Sequence, residues 1–537
     1  MPLAWLLLGC GPSMDVQRSG VIACPDPDRR GSVAFELKLE NQTRTEDAVL
    51  HGGGLLVEDL DDDGWMDLLI PGESEHVLRW GINGNADRLF EVADDDLAAL
   101  PVDMAVGATA VDYDGDADLD VYVTRWMRPN TLLRNDGGRV FTDVSAQAFP
   151  GAAGARSQSA SWGDIDGDGD LDLFVGTYGV GTTIDVLDPA PDCSDHLPDD
   201  AQLWRNEGDG TFVDITDTLP EAAHGYTFMS GFYDLHGDGH PELFLAHDDG
   251  GCGPSVVLDN DGGTFTVDEE AGFSRGAHDM GMGVGDLNGD ALPDFLFTSW
   301  NAVSLLQSSE ERGSVRWIDY ADARGLRVDA PPADRPGQAE PGQQVFGWGA
   351  ELGDLDNDAD LDAVMVFGYW SYYDNRSADP PRQADGLWLQ GSDGSFTDVA
   401  STYGLDDDSV SRGVVLADVD NNGYLDVLKH TLNGGIPLHL ARCGDQAWVR
   451  IRLEAPPPNT RAVGARIRVT AGDQVHTRWI TSGSTGMYSG APLEAHVGLG
   501  SAATIDRIEV TWPDGHVSTT RSLRSRQLIT LRRRTSR

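Results

Sequence analysis

Asp59-Leu60-Asp61-Asp62-Asp63-Gly64-Trp65-Met66-Asp67-Leu68-Leu69-Ile70 is the first of seven copies of one pattern. Each copy is a nonapeptide with carboxylates or amides on its odd positions and an apolar run directly behind. The others open at Asp112, Asp164, Asp234, Asp286, Asp354 and Asp418, so successive copies lie 52 to 70 residues apart. Self-similarity at that spacing marks a repeat array, in which single units cannot bury their apolar faces alone.

Positions 1, 3, 5 and 9 of the loops supply the candidate ligands. They are Asp59, Asp61, Asp63, Asp67; Asp112, Asp114, Asp116, Asp120; and Asp164, Asp166, Asp168, Asp172. The later copies give Asp286, Asn288, Asp290, Asp294; Asp354, Asp356, Asp358, Asp362; and Asp418, Asp420, Asn422, Asp426. The fourth copy departs from this, with Asp234, His236, Asp238 and Glu242. Oxygen ligands at i, i+2 and i+4 wrap a tight turn around a hard cation, and small residues such as Gly64, Gly169 and Gly423 permit the reversal. Position 7 varies freely, as it can if it offers only its carbonyl. Such a donor set selects Ca²⁺ over zinc or copper. Seven copies in one frame argue against mere solvated turns, because carboxylates this close repel unless a cation lies among them. His236 is a poor calcium ligand, so the fourth loop is the weak member.

An EF-hand fails on spacing, since it requires Glu at position 12 between two helices. Position 12 here is Ile70, Val123, Val175, Leu245, Phe297, Met365 and Lys429. Strand-like runs follow the loops instead, as in Leu119-Asp-Val-Tyr-Val123, and small or apolar residues precede them, as in Gly281-Met-Gly-Val-Gly285. Further on, Asn135-Asp-Gly137, Asn206-Glu-Gly-Asp-Gly210, Asn260-Asp-Gly262 and Asp393-Gly394 sit between apolar residues and read as hairpin turns. Each repeat therefore holds four strands. The predicted fold is all-β: a seven-bladed β-propeller followed by a small antiparallel β domain.

Composition sets the outer limits. The 537 residues carry a formal charge of −51 with 40% hydrophobic content, enough for real cores. Such acidity repels phosphate and excludes nucleic acid as a partner. The charge is segregated, because from residue 445 onward 14 arginines face 7 acids. That change of sign marks a domain boundary. The tail's arginines either solvate one face of its sheet, or dock the acidic array or an anionic polymer. The expected divisions are 1–9, 10–50 as linker or first strand, 51–444 as the repeat array and 445–537 as the tail.

The N-terminus ends its apolar stretch in Leu7-Leu8-Gly9-Cys10. It resembles a bacterial lipoprotein signal with lipidation at Cys10, although no positive residue precedes it. A plain hydrophobic end or a misplaced start is the other reading. No stretch is long enough for a transmembrane helix. Cys24, Cys193, Cys252 and Cys443 remain, an even number suited to an exported chain. Of three pairings, Cys193–Cys252 with Cys24–Cys443 is favoured; four free thiols are the alternative.

The repeats resemble the FG-GAP/VCBS repeats of integrin-α-type propellers over about residues 51–444, with His51-Gly-Gly-Gly and Gly347-Trp-Gly-Ala-Glu-Leu-Gly as openings. The tail resembles the ASPIC/UnbV domain in Trp448-Val-Arg-Ile-Arg-Leu453, Ala462-Val-Gly464-Ala-Arg466, Ser482-Gly-Ser…Tyr488, His496-Val-Gly-Leu-Gly500 and Trp512-Pro-Asp-Gly515. The combination is similar to the cartilage acidic protein 1-like family of secreted proteins. Departures are the fourth loop and the alanines at position 6 of the loops at Asp112, Asp286 and Asp354.

The N-terminal resemblance implies an exported chain, lipid-anchored at the bacterial surface or in the periplasm, and the repeats imply several structural Ca²⁺ ions. It would act as a non-enzymatic adhesion or recognition scaffold for an extracellular protein or glycan, touching membrane only through Cys10. A polysaccharide-active lyase or hydrolase is the rival, with His51, His224, Tyr226 and His278 as candidates at the blade openings. Envelope assembly is the third reading, with residues 185–200 and 330–344 as contact loops. No nucleophile elbow, zinc motif, phosphate loop or dinucleotide fingerprint is present.

Overall fold

A computed structural model of the chain describes residues 14–18, 34–37, 53–71, 79–82, 91–92, 103–138, 140–180, 197–248, 253–273, 277–311, 314–327, 345–368, 383–407, 409–432, 435–441 and 443–534. Cys10, Cys24, Cys193, Cys252, His51 and most of both insertions lie outside these residues.

Each repeat folds into one four-stranded antiparallel sheet. In the second, Ala105–Val111, Asp120–Arg128, Thr131–Asn135 and Phe141–Asp143 pair in chain order. Sheets of the same order start at Leu56–Glu58, Ala155–Gly163, Thr227–Tyr233, Gly281–Gly285 and Gly347–Gly353. The last combines Ser411–Ala417, Asp426–Thr431 and Ile436–His439 with Ala34–Leu37 from the far end of the chain. The first strands touch one another in chain order, and the last touches the first. The array is thus a propeller-like ring closed by its own N-terminal segment. Residues 34–37, within the 10–50 segment expected as linker or first strand, therefore pair into the ring with a strand some 400 residues away.

The loop residues fix where strands begin. Position 9 is the first residue of the second strand in every unit, from Asp67–Ile70 to Asp426–Thr431. These second strands are sandwiched between sheets and buried on both faces, which is why they read as continuous apolar runs. Leu243, Phe244 and Leu245 are fully buried in one of them.

The C-terminal part is a two-sheet sandwich. Gln474–Trp479, Arg466–Ala471, Thr504–Thr511 and Val517–Arg524 form one sheet. Asp15–Arg18, Gln527–Arg532, Ala447–Glu454 and Glu494–Gly500 form the other. Val449, Ile451, Ile467, Val469, Ile508 and Leu531 close the core between them. One pairing corrects the purely antiparallel expectation: Ala447–Glu454 runs parallel to Gln527–Arg532. The intervening chain builds the opposite sheet and so supplies the long crossover that parallel strands need.

A hairpin of this module, Ser482–Thr485 and Ser489–Gly490, enters the ring and touches the first strand of all seven units. It pairs with Ser161 and Trp162 on one side and Leu56 on the other. Its turn carries Met487 and Tyr488, both fully buried. A side chain at Gly54 or Gly107 would collide with the Tyr488 carbonyl, so those strands need glycine where the hairpin passes.

Candidate metal centre

The seven loops share one backbone. Residues at position 4 (Asp62, Gly115, Gly167, Gly237, Gly289, Asn357, Asn421) and position 6 (Gly64, Ala117, Gly169, Gly239, Ala291, Ala359, Gly423) all have positive φ. Gly, Asn and Asp tolerate this region best, which explains the composition of position 4. The alanines at position 6 adopt the same turn under strain.

Three hydrogen bonds recur in every loop. The position 6 amide donates to the position 1 carboxylate at 2.8–3.1 Å. The position 2 amide donates to position 9 at 2.7–3.2 Å. The position 7 amide donates to the position 5 side chain at 2.7–3.0 Å. The odd-position oxygens are thereby turned inward on one another.

Several of these clusters can hold a metal ion. Ligand atoms of Asp59, Asp61 and Asp63 converge, as do those of Asp112, Asp114 and Asp120. So do Asp164, Asp166 and Asp172, and likewise Asp354, Asp356 and Asp362. Asp67 accepts the Leu60 amide, and Asp116, Asp168 and Asp358 each accept the position 7 amide of their loop. In the fifth loop Asn288 donates to Asp290, while Asp294 accepts both the amide and the hydroxyl of Ser308. In the seventh, Asp418, Asp420, Asn422 and Asp426 are all buried.

The donor set fits a hard cation. Asp59 Oδ1 and Asp354 Oδ1 are buried with no hydrogen-bond partner. Burial pushes the Asp120 carboxyl up to about 9, with Asp114 and Asp112 adding to the effect. Burial likewise raises Asp362 to about 9 and Asp172 and Asp354 to about 8. Carboxylates so placed ionise at neutral pH only when positive charge joins them.

Part of that charge comes from the C-terminal module, which docks on the loop face. Arg450 Nη1 lies 2.9 Å from Asp418 Oδ2 and Arg452 Nη1 lies 2.8 Å from Asp59 Oδ2. Glu494 joins the two, at 2.6 Å from Arg450 Nε and 3.0 Å from Arg452 Nε. The Thr460 hydroxyl donates to Asp112, Gly500 donates its amide to the Asn357 carbonyl, and Arg461 donates to the Ala117 carbonyl. Of the two readings of the tail's arginines, these contacts favour docking for Arg450, Arg452 and Arg461.

Sequence reasoning read Asn135, Asn206 and Asn260 only as turn residues. Their side-chain amides donate to Leu60, Tyr113 and Ile165 carbonyls, each at position 2 of the preceding unit's loop. They therefore staple neighbouring sheets. The signal was their recurrence at the same place before each outer turn.

Of the rival catalytic candidates, His224, Tyr226 and His278 lie within the described residues. His224 Nδ1 accepts the Ala201 amide, and Tyr226 is fully buried against Tyr178 at 4.4 Å. His278 Nδ1 lies 2.9 Å from Asp248 Oδ1 and packs against Trp300. Cys443 is disulfide-bonded to a partner outside the described residues.

The family model described as FG-GAP-like repeat matches residues 112–175 and 234–297, and the ASPIC and UnbV model matches residues 455–537. Cartilage acidic protein 1 from Mus musculus is 25% identical over 512 residues, covering 88% of this chain and 72% of its own. Its Homo sapiens counterpart is 25% identical over 500 residues, covering 86% and 69%. Among solved structures, BBS1N in complex with ARL6DN aligns at TM-score 0.41 and 11% identity over 76% of this chain and 98% of that one. AofleA from Arthrobotrys oligospora aligns at TM-score 0.33 and 9% identity over 65% and 87%. The chain carries FG-GAP-like repeats and an ASPIC/UnbV module, and is homologous to cartilage acidic protein 1 along most of its length.

Proposed function

We propose that this chain is an exported, calcium-rigidified seven-bladed β-propeller whose C-terminal module is locked onto the loop face, serving as a non-enzymatic recognition scaffold. The observation that carries the reading is the repeated inward-facing oxygen cluster at the start of each second strand, with unpartnered buried oxygens at Asp59 and Asp354. Calcium there ties the first strand of each blade to the second and neutralises carboxylates that burial otherwise destabilises. The Asp59, Asp112, Asp164, Asp286, Asp354 and Asp418 loops are the calcium sites. With the C-terminal module on the loop face and its hairpin seated in the ring, the reading assigns a protein or glycan ligand to the opposite face and the outer edges. Among the described residues no helix is long and apolar enough to cross a membrane, and the Leu7-Leu8-Gly9-Cys10 motif is the reading's candidate for attachment, through Cys10. A glycan and matrix-protein array, run with the intact chain in Ca²⁺ and in EDTA, tests the role. Calcium-dependent retention of one ligand class supports it, and turnover of a bound glycan would replace the scaffold with an enzyme.

A further inference from the structure

The fourth unit differs from its sisters at two loop positions and at one third-strand position, and the three residues meet at one point. Position 3 is His236 where the others have Asp or Asn. Position 9 is Glu242 where the others have Asp. On the third strand, the residue before the stapling asparagine is Asp259, where the second and third units have Arg134 and Arg205.

Each change has a geometric consequence. In five other units the second oxygen of position 9 accepts an amide on the third strand or just past its end: Asp120 from Asn135, Asp172 from Asn206, Asp294 from Ser308, Asp362 from Gln390 and Asp426 from Ala441, at 2.6–2.9 Å. Glu242 keeps the inner bond, its Oε2 accepting the Leu235 amide at 2.7 Å. Its Oε1 is buried with no hydrogen-bond partner. His236 Nε2 stands 3.6 Å from this oxygen and 3.9 Å from Asp259 Oδ1. Where Asp259 stands, Arg134 and Arg205 turn to Asp136 and Glu207 and bring positive charge instead.

We propose that this loop binds a divalent transition-metal ion of the zinc class, through His236 Nε2, Glu242 Oε1 and Asp259 Oδ1. The three atoms lie within 4.8 Å of one another. A tetrahedral ion with bonds of about 2.0–2.1 Å sets its ligands about 3.3 Å apart. Small rotations of His236 and Asp259, which are 47% and 44% exposed, bring them to that spacing around the fixed Glu242. A simple ion pair explains the arrangement less well, because both separations exceed hydrogen-bond contact and Glu242 Oε1 stays unsatisfied. Calcium, which takes six to eight oxygens, gains little from imidazole, whereas zinc-class ions favour it. The exposed side of the site leaves a fourth position for water. The proposal does not depend on calcium filling the other six loops.

The test uses the full chain, stripped of metal, dialysed into excess Ca²⁺, then titrated calorimetrically with Zn²⁺ and, for absorption, with Co²⁺. The wild type is expected to take up one Zn²⁺ per chain despite the calcium. His236→Asp, which restores the residue of the sister loops, and Asp259→Asn should each weaken that uptake at least tenfold, since loss of a direct ligand exceeds the effect of losing a supporting one. Both residues are half-exposed, so circular dichroism and melting temperature should stay unchanged and show that the fold is kept. No zinc uptake by the wild type, or equal uptake by wild type and both variants, overturns the assignment. Failure of the calcium reading would appear separately, as a melting temperature indifferent to Ca²⁺ in every variant.

Discussion

Removing Arg450 is expected to uncouple the C-terminal module from the ring. Its side chain is fully buried and makes three charge-assisted contacts: Glu494 Oε1 at 2.6 Å, Asn421 Oδ1 at 2.7 Å and Asp418 Oδ2 at 2.9 Å. Truncation leaves Glu494 with Arg452 alone and takes from Asp418 its one guanidinium partner. Breaking a buried pair from one side costs about 3–5 kcal/mol, a large share of the stability of any domain. Urea denaturation of the full chain in calcium buffer, followed by tryptophan fluorescence, reads the loss. Arg450→Met combined with Glu494→Leu should recover part of it, because Glu494 leaves with its partner while Asp418 stays without a guanidinium. The pH profile supplies an independent readout. Burial opposes ionisation of Glu494, but Arg450 and Arg452 overcome it and hold the carboxyl down at about 2. A depressed carboxylate stabilises fully above its unfolded value, about 4.3, and loses that contribution as pH falls toward 2. Arg450→Ala should flatten this acid limb. A cost below about 1 kcal/mol with the acid limb intact would refute the docking argument.

Ala117→Gly should stabilise the second loop by about 0.5–1 kcal/mol, because an L-residue at φ 78° carries strain that outweighs the added freedom of the unfolded chain; thermal melts check the sign. Gly107→Val should clash with the Tyr488 carbonyl, cost about 1–3 kcal/mol and open residues 482–490 to limited proteolysis. Glu351 is buried and pushed up to about 8 by desolvation, with the Thr485 hydroxyl donating to it. Folding therefore takes up a proton there, and stability should fall as pH rises from about 4 to 8. Glu351→Gln should remove that fall in denaturation curves recorded across the range.

The loops were legible because their chemistry is local. Odd-position oxygens, a Gly, Asn or Asp at position 4 and an apolar run behind Asp120 or Asp172 all report one turn and one strand start. What stayed hidden is long-range. Asp15–Arg18 pairs with residues 529–532, and Ala34–Leu37 with residues 436–439, and neither segment carries a periodicity naming its partner. Ser482–Gly490 is rich in Gly and Ser, without the alternation of a half-buried strand, because it meets backbone and glycine inside the ring rather than one apolar face. Arg450 and Arg452 alternate with apolar residues as exposed strand positions do, yet that side of the sheet lies against Asp418 and Asp59. Asp259 carries no local signal that links it to His236, and only the fold sets the two side by side.

Calcium dependence of the melting temperature, measured on the metal-stripped full chain, tests the central claim most directly. With dissociation constants of about 10⁻⁴ to 10⁻³ M, 10 mM Ca²⁺ contributes about 1.4–2.7 kcal/mol per filled loop. Six loops acting together should raise the melting temperature clearly above its value in EDTA, with equal Mg²⁺ failing to substitute. A melting temperature and protease resistance identical in EDTA and in calcium would contradict the account.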